Sequence, residues 1–244
     1  VAEKTIDPLY QFEIKRLIPL KLGELDVSFT NSSMWMVLAI LAVTVFLVGG
    51  MRRRAIVPGR WQSMAEMSYE FIAGMIQENV GSKGRAFFPF IFSLFMFILA
   101  GNLLGMIPYS FTFTSHIIVT FAMAAVVFLG VTIVGFVIHG THFLSYFVPK
   151  GVPPVMLVLM VPIEVLSYLT RPLSLSIRLF ANMMAGHTMV KVFAAFTVML
   201  GIFGVAPLFI NVALTGFEFM VAFLQAYVFT ILTCMYLNDA VHLH

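Results

Sequence analysis

Residues 161–191 read VPIEVLSYLTRPLSLSIRLFANMMAGHTMVK, a stretch apolar enough to lie in a membrane that nevertheless carries Glu164, Arg171, Arg178, Asn182, His187 and Lys191. A charged side chain at the centre of a bilayer costs roughly 2.5–3.5 kcal/mol on insertion scales, so such groups face a partner, a cavity or an ion path. At about 100° per residue, the seven-residue spacing of Glu164, Arg171 and Arg178, with Asn182 one turn later, puts all four on one helical face. His187 falls on the opposite face. Pro172 removes a backbone donor beside Arg171 and predicts a bend or a freed carbonyl there. The stretch reads as a site before it reads as a span.

The rest of the chain supplies the setting. Hydrophobic residues make up 61% of its 244 positions and charged residues 10%, a balance that excludes an ordinary soluble domain and predicts an all-α polytopic membrane protein. The single cysteine, Cys234, excludes a disulfide framework or a thiolate metal cluster within one chain and reads as a small buried hydrophobe. The net charge of +3 comes mostly from one loop and is a topology signal, with no motif for nucleic acid. The opening VAEKTIDPLYQFEIKRLIPL mixes charges of both signs without a continuous apolar core, unlike a signal peptide.

Upstream of the central stretch, residues 1–33 read as an extramembrane arm and 34–244 as one integral membrane domain. A first span is expected at about 34–51, ending in Arg52, Arg53 and Arg54. With Arg60, Lys83 and Arg85 the following loop holds six basic residues against three acidic ones, which places it inside and the N-terminal arm outside. Residues 61–80 alternate an apolar face (Trp61, Met64, Ala65, Ser68, Phe71, Ile72, Met75, Ile76) with a polar one (Gln62, Glu66, Glu70, Gln77), which predicts an amphipathic helix in the inner interface. From Ala86 to Pro149 there is no Asp, Glu, Lys or Arg. Spans are expected at about 87–108 and 117–138, joined outside by YSFTFTSH, with Pro108, Thr112, Thr114, Ser115 and His116 as turn signals. Asn102 reads as a helix-packing hydrogen bonder. His139 and His142 have no carboxylate nearby and read as interfacial histidines, not as a metal site.

Downstream, the segments at about 155–200 and 208–237 each exceed the roughly 20 residues of a perpendicular span, with Gly201, Gly204 and Pro207 between them. Asn211, Glu218 and Gln225 repeat the seven-residue spacing, so the two segments predict a long tilted hairpin with a polar stripe on each helix. Five crossings put the C-terminus inside. Within the hairpin two acids, Glu164 and Glu218, face Arg171, Arg178, His187 and Lys191, so pairing for stability alone leaves charge over. Polar residues lining aqueous routes on either side of a fixed arginine fit better, since Arg stays charged while Glu and His titrate nearer neutrality. A secondary transporter predicts two related halves, yet the first three spans are nearly uncharged and the last two hold most of the charge. An intramembrane enzyme needs a nucleophile–base pair or an HExxH motif, and neither is evident.

The run PLSLSIRLFANMMAGH at 172–187, with GFEFMVAFLQAYVFTIL at 216–232, resembles subunit a of the rotary F-type ATP synthases, and the resemblance extends from the first span to the C-terminus. It implies a stationary, non-catalytic proton-channel subunit with no cofactor and no metal. Its partners are expected to be a ring of c subunits with membrane-embedded carboxylates, b-type subunits of a peripheral stalk, lipid and protons. By the resemblance Arg178 is the arginine facing the ring, Asn182 and Gln225 are its polar neighbours, Glu218 and His187 belong to the outer half-channel, and Glu164 belongs to the inner one. His187 and Glu218 stand exchanged relative to the enteric bacterial pattern, as in mitochondrial and related bacterial members. The membrane expected is a bacterial inner (cell) membrane in preference to a mitochondrial inner membrane. The resemblance assigns no role to Lys191.

Overall fold

The structure, a computed structural model, describes residues 12–19, 21–22, 25–26, 28–52, 55–107, 110–148 and 153–242. Several expectations lie outside them: the first eleven residues of the arm, Arg53 and Arg54, Pro108 and Tyr109 in the outer turn, Pro149 and Lys150, and the last two residues. Six helices follow one another: α1 (Asn31–Met51), α2 (Arg60–Asn79), α3 (Phe88–Gly105), α4 (Ile117–His139), α5 (Pro154–Met199) and α6 (Val205–Val241). Five segments are long and apolar enough to cross a membrane: Asn31–Met51, Ser82–Gly105, Ile117–Phe147, Met156–Met199 and Gly201–Val241. The molecule is an all-α polytopic membrane protein.

The described residues of the arm form strands that its mixed charges do not predict. Four short strands pair antiparallel, β1 (Arg16–Ile18) with β4 (Phe29–Thr30) and β2 (Lys21–Leu22) with β3 (Leu25–Asp26). Asn31 ties this ribbon to α1: its Nδ2 donates to the Glu13 carbonyl at 3.0 Å, while its Oδ1 accepts from the Lys15 amide at 3.1 Å. Thr30 then caps the helix by accepting from the Ser33 amide.

Among the first four helices, α2 is the amphipathic one. It buries Ala65, Ile72, Met75 and Ile76 and leaves Trp61 and Met64 largely exposed. The Trp61 indole donates to the Phe46 carbonyl at 2.9 Å and fastens α2 to the end of α1. The connections either side of α4 are pinned by aromatic rings. Phe113, in the short turn Phe113–Ser115, and Phe143, in the 3-10 segment Gly140–Phe147, are both fully buried. A Cβ on Gly101 would collide with the Phe113 ring and one on Gly135 with the Phe143 ring, so a glycine at each position lets the connection seat against the helices.

The α5–α6 hairpin dominates the chain. At 1.5 Å per residue its arms are about 69 and 56 Å long, well beyond the roughly 30 Å of hydrocarbon. α5 runs through Pro162 and Pro172 without interruption, leaving the carbonyls of Val158 and Tyr168 without their regular amide donors. α6 starts at Val205, earlier than expected, because Pro207 lies in the first turn, where a missing N–H has no acceptor to lose. It also continues past Leu237 to Val241. Asn238 and Asp239 end the apolar run in the sequence without ending the helix.

That extension supplies Asp239, whose Oδ2 lies 3.0 Å from Arg171 Nη1. Arg171 Nη2 donates to the Tyr146 hydroxyl at 2.6 Å, and its guanidinium carbon sits 5.7, 5.3 and 4.8 Å from the ring centres of Tyr146, Tyr168 and Tyr236. Tyr168 in turn exchanges a hydrogen bond with Thr132 of α4 at 2.6 Å. Arg171 therefore faces inward and ties together α5, α6 and the segment after α4. Arg171→Ala removes the cation from this cage and is expected to lower the melting temperature of the detergent-solubilised chain by roughly 5 °C. Asp239→Ala should cost less, because the Asp239 side chain is 35% exposed. Static light scattering during a thermal ramp measures both, and an unchanged Arg171→Ala midpoint contradicts the anchoring role.

Candidate functional site

Among the contacts of the described residues, three polar ones join the arms of the hairpin, nested about the turn Gly201–Gly204. His187 meets Glu218, Asn182 meets Gln225, and Arg171 meets Asp239. Each pair further from the turn on α5 is further from it on α6 as well, as an antiparallel hairpin requires. Along α5 the innermost and outermost contacts are about 24 Å apart, slightly less than the thickness of the hydrocarbon.

The pair nearest the turn is the most enclosed. His187 is 9% and Glu218 5% exposed, and His187 Nδ1 lies 3.1 Å from Glu218 Oε1, within ion-pair range but off the axis of an aligned hydrogen bond. Gly186 makes this approach possible: a Cβ there would stand 2.7 Å from Oε1. The other ring nitrogen, His187 Nε2, is 3.0 Å from the hydroxyl of Thr112, which also donates to the Gly105 carbonyl at 3.2 Å. The α3–α4 connection thus closes over the pair, with Thr112, Thr114 and Ser115 all buried. Asn102 holds it down, accepting from Thr114 Oγ1 at 2.9 Å and donating to the Ala222 carbonyl of α6 at 3.2 Å. Asn102 is therefore a packing hydrogen bonder across the bundle.

In the middle of the hairpin Asn182 Nδ2 donates to Gln225 Oε1 at 2.7 Å, and the buried Gln225 Nε2 has no acceptor among the described residues. Arg178, one turn before Asn182, differs from Arg171, His187 and Glu218, which take part in the ion pairs across the hairpin. Leu175, Ser176 and Leu179 around it are buried against the bundle, while Arg178 itself points outward and is exposed. Exposed Ser174, Ala181, Asn182 and Ala185 flank it, so that the surface beside the guanidinium is low and open to close approach. Neither described ion pair, Arg171–Asp239 or His187–Glu218, includes Arg178. The Arg178–Glu218 pairing that would reduce both to helix-binding residues is absent. Glu164 is half-buried two heptads before Arg178, away from the other predicted site residues. His139 Nε2 lies 3.3 Å from the Val241 carbonyl, and among the described residues no group of His, Cys, Asp and Glu is placed to hold a metal.

Sequence reasoning missed two participants for different reasons. Asp239 lies two heptads beyond Gln225 on the same stripe, a signal lost when the apolar run was taken to end the helix. Thr112 is 75 residues from His187 in sequence and comes from a connection, so no helical period links the two.

Comparison with known proteins gives a consistent set of relatives. Residues 32–238 match the family described as ATP synthase A chain. A protein of Paramagnetospirillum magneticum called ATP synthase subunit a is 58% identical over 98% of this chain and 99% of its own length. Proteins of the same description from Parvibaculum lavamentivorans and Rhizobium etli are 59% and 58% identical, each over 97% of this chain and over 94% and 97% of their own lengths.

The outward aspect of Arg178 is testable by thiol reactivity. In a Cys234→Ser background, a cysteine replacing Arg178 in the solubilised chain should react readily with a small maleimide, whereas one replacing Leu179, which is 0% exposed, should react slowly. Equal rates, measured by mass shift over time, contradict the orientation described here.

Proposed function

The chain belongs to the ATP synthase A chain family, and from that premise we propose that it is the stationary, non-catalytic proton-channel subunit of an ATP synthase membrane sector. The observation that carries the proposal is Arg178: a permanent cation on the exposed face of the hairpin, between two polar clusters about 24 Å apart along α5. A cation exposed at that depth needs an anionic neighbour. A membrane-embedded carboxylate on each c subunit of a turning ring is such a neighbour, and the small residues flanking Arg178 leave room for it to approach.

In this reading a proton enters from the outer side near His187 and Glu218 and neutralises a ring carboxylate, which then moves into lipid. On the inner side the proton leaves past Glu164. The newly ionised carboxylate is drawn toward Arg178, whose charge blocks a proton from crossing directly between the two half-channels. Asn182 keeps the surface beside Arg178 polar, and its hydrogen bond to the buried Gln225 holds it there. The transmembrane potential contributes about 2.3 kcal/mol per charge per 100 mV. The N-terminal arm lies outside and the C-terminus inside a bacterial cell membrane, on the basis of the basic residues after α1, and the b-type subunits of the peripheral stalk hold the chain still.

Arg178→Ala is expected to abolish proton-driven ATP synthesis in energised vesicles, and Arg178→Lys to restore little, because a compact ammonium lacks the planar fork and loses its proton more readily when desolvated. Turnover is measured per assembled complex, with subunit content quantified in the same vesicles; near-normal turnover of assembled Arg178→Ala refutes the proposal. Orientation has its own test. In a Cys234→Ser background, Glu13→Cys should react with an impermeant reagent from the outer side and Ser82→Cys only from the inner side. The opposite pattern reverses both half-channels.

A further inference from the structure

We infer that Thr112 is a positioning residue for the outer proton site: its hydroxyl turns between two acceptors so that His187 keeps a hydrogen-bonded Nε2 whether or not that nitrogen carries a proton. The inference rests on the assignment of His187 and Glu218 to the outer half-channel and extends it to a residue outside the hairpin.

The geometry fixes the proton count. Thr112 Oγ1 lies 3.2 Å from the Gly105 carbonyl and 3.0 Å from His187 Nε2, and it has one proton to give. A carbonyl only accepts, so when the hydroxyl donates to Gly105, His187 Nε2 must be the donor to Thr112. Nδ1 then faces the Glu218 carboxyl at 3.1 Å. A bare Nδ1 lone pair beside an ionised carboxylate repels it, so either Nδ1 or Glu218 holds a second proton. The pair is then loaded and neutral overall. When the hydroxyl turns to donate to Nε2, the ring carries its single proton on Nδ1, within ion-pair range of an ionised Glu218, and the pair is one proton poorer. Both states leave Nε2 satisfied, and apart from the proton that the pair gains or loses the change asks only for the rotation of one O–H bond. A fixed donor such as a backbone amide would serve the unloaded state alone, and a fixed acceptor the loaded state alone.

Two further observations place the hydroxyl where this requires. Thr112 is 5% exposed, so water does not replace it freely. A Cβ on Gly105 would collide with the Thr112 side chain, so the absence of one lets the hydroxyl reach the carbonyl. Other charges nearby are few: α3 and α4 contribute no Asp, Glu, Lys or Arg, and on α5 Lys191 follows His187 by one turn.

The test compares Thr112→Ser, Thr112→Ala and Thr112→Val in the assembled complex, reading proton-driven synthesis and ATP-driven proton pumping per complex. Serine and alanine differ by the hydroxyl oxygen alone, and valine keeps the shape of threonine without it. The expected result is a loss of most turnover in both directions for Thr112→Ala and Thr112→Val, with Thr112→Ser close to the parent. Serine as impaired as alanine means that Thr112 acts through its packing and overturns the inference, as does parental turnover in all three. Glu218→Ala, made alongside, separates the two levels. If it retains turnover, the outer-pathway assignment fails and the inference falls with it. If it is inactive while alanine and valine at 112 are parental, only the role of Thr112 fails.

Discussion

A polar group carried into hydrocarbon must find a partner there, and in this protein the partner of α5 is α6. Among the described residues the hairpin holds three cross-arm contacts whose members are misfits in an apolar membrane taken singly and meet a polar partner as pairs. Their cost in lipid dictates that the arms align in one register, because any other leaves a carboxylate, an imidazole or a guanidinium facing methylenes. The remaining helices are arranged around that requirement. α3 lends Asn102 to the α6 backbone, and the connection after it lends Thr112 to His187. The segment after α4 lends Tyr146 to Arg171. The four helices ahead of the hairpin thus act as a housing that completes its polar contacts at two levels.

Arg178 is the deliberate exception to that rule. Two arginines of comparable sequence context are separated by what surrounds them: Arg171 is enclosed by a carboxylate and three tyrosines, whereas Arg178, seven residues on, is left facing outward. The same residue type serves in one place to bind helices and in the other to meet something outside the chain. Burial and pairing, not residue identity, decide which.

Much of this was legible in the sequence. The five apolar segments, the amphipathic helix and the overlength hairpin follow from hydropathy and length, and the seven-residue spacings indicate the faces that carry the polar groups. The wheel also separates His187 from Arg178 by half a turn, and in the structure one faces into the bundle and the other out. What the spacing could not express is the difference between Arg171 and Arg178, which share a face on an ideal wheel. A helix face about 100° wide spans both the seam with α6 and the open surface beside it, and only the position of the neighbouring tyrosines and Asp239 distinguishes the two. The strands of the arm and the seating of Phe113 and Phe143 were invisible because they depend on pairings across connections, where no periodicity operates. The end of α6 was misjudged for a related reason: two polar residues closed the apolar run, yet the helix continued because Asp239 had a partner.

The nested contacts also act as a ruler for inheritance. Deleting one residue from either arm between the turn and the outermost pair rotates everything beyond it by about 100° and draws it in by about 1.5 Å. A deletion between Arg171 and Asn182 would spoil one contact, whereas one between His187 and the turn would spoil all three together. Substitutions can accumulate along the lipid-facing surface of these helices one at a time, but changes of length cannot. The hairpin can lengthen or shorten without penalty to its contacts only at Gly201–Gly204 or beyond Arg171 and Asp239, so it is the count of residues between successive contacts along each arm that the register holds fixed.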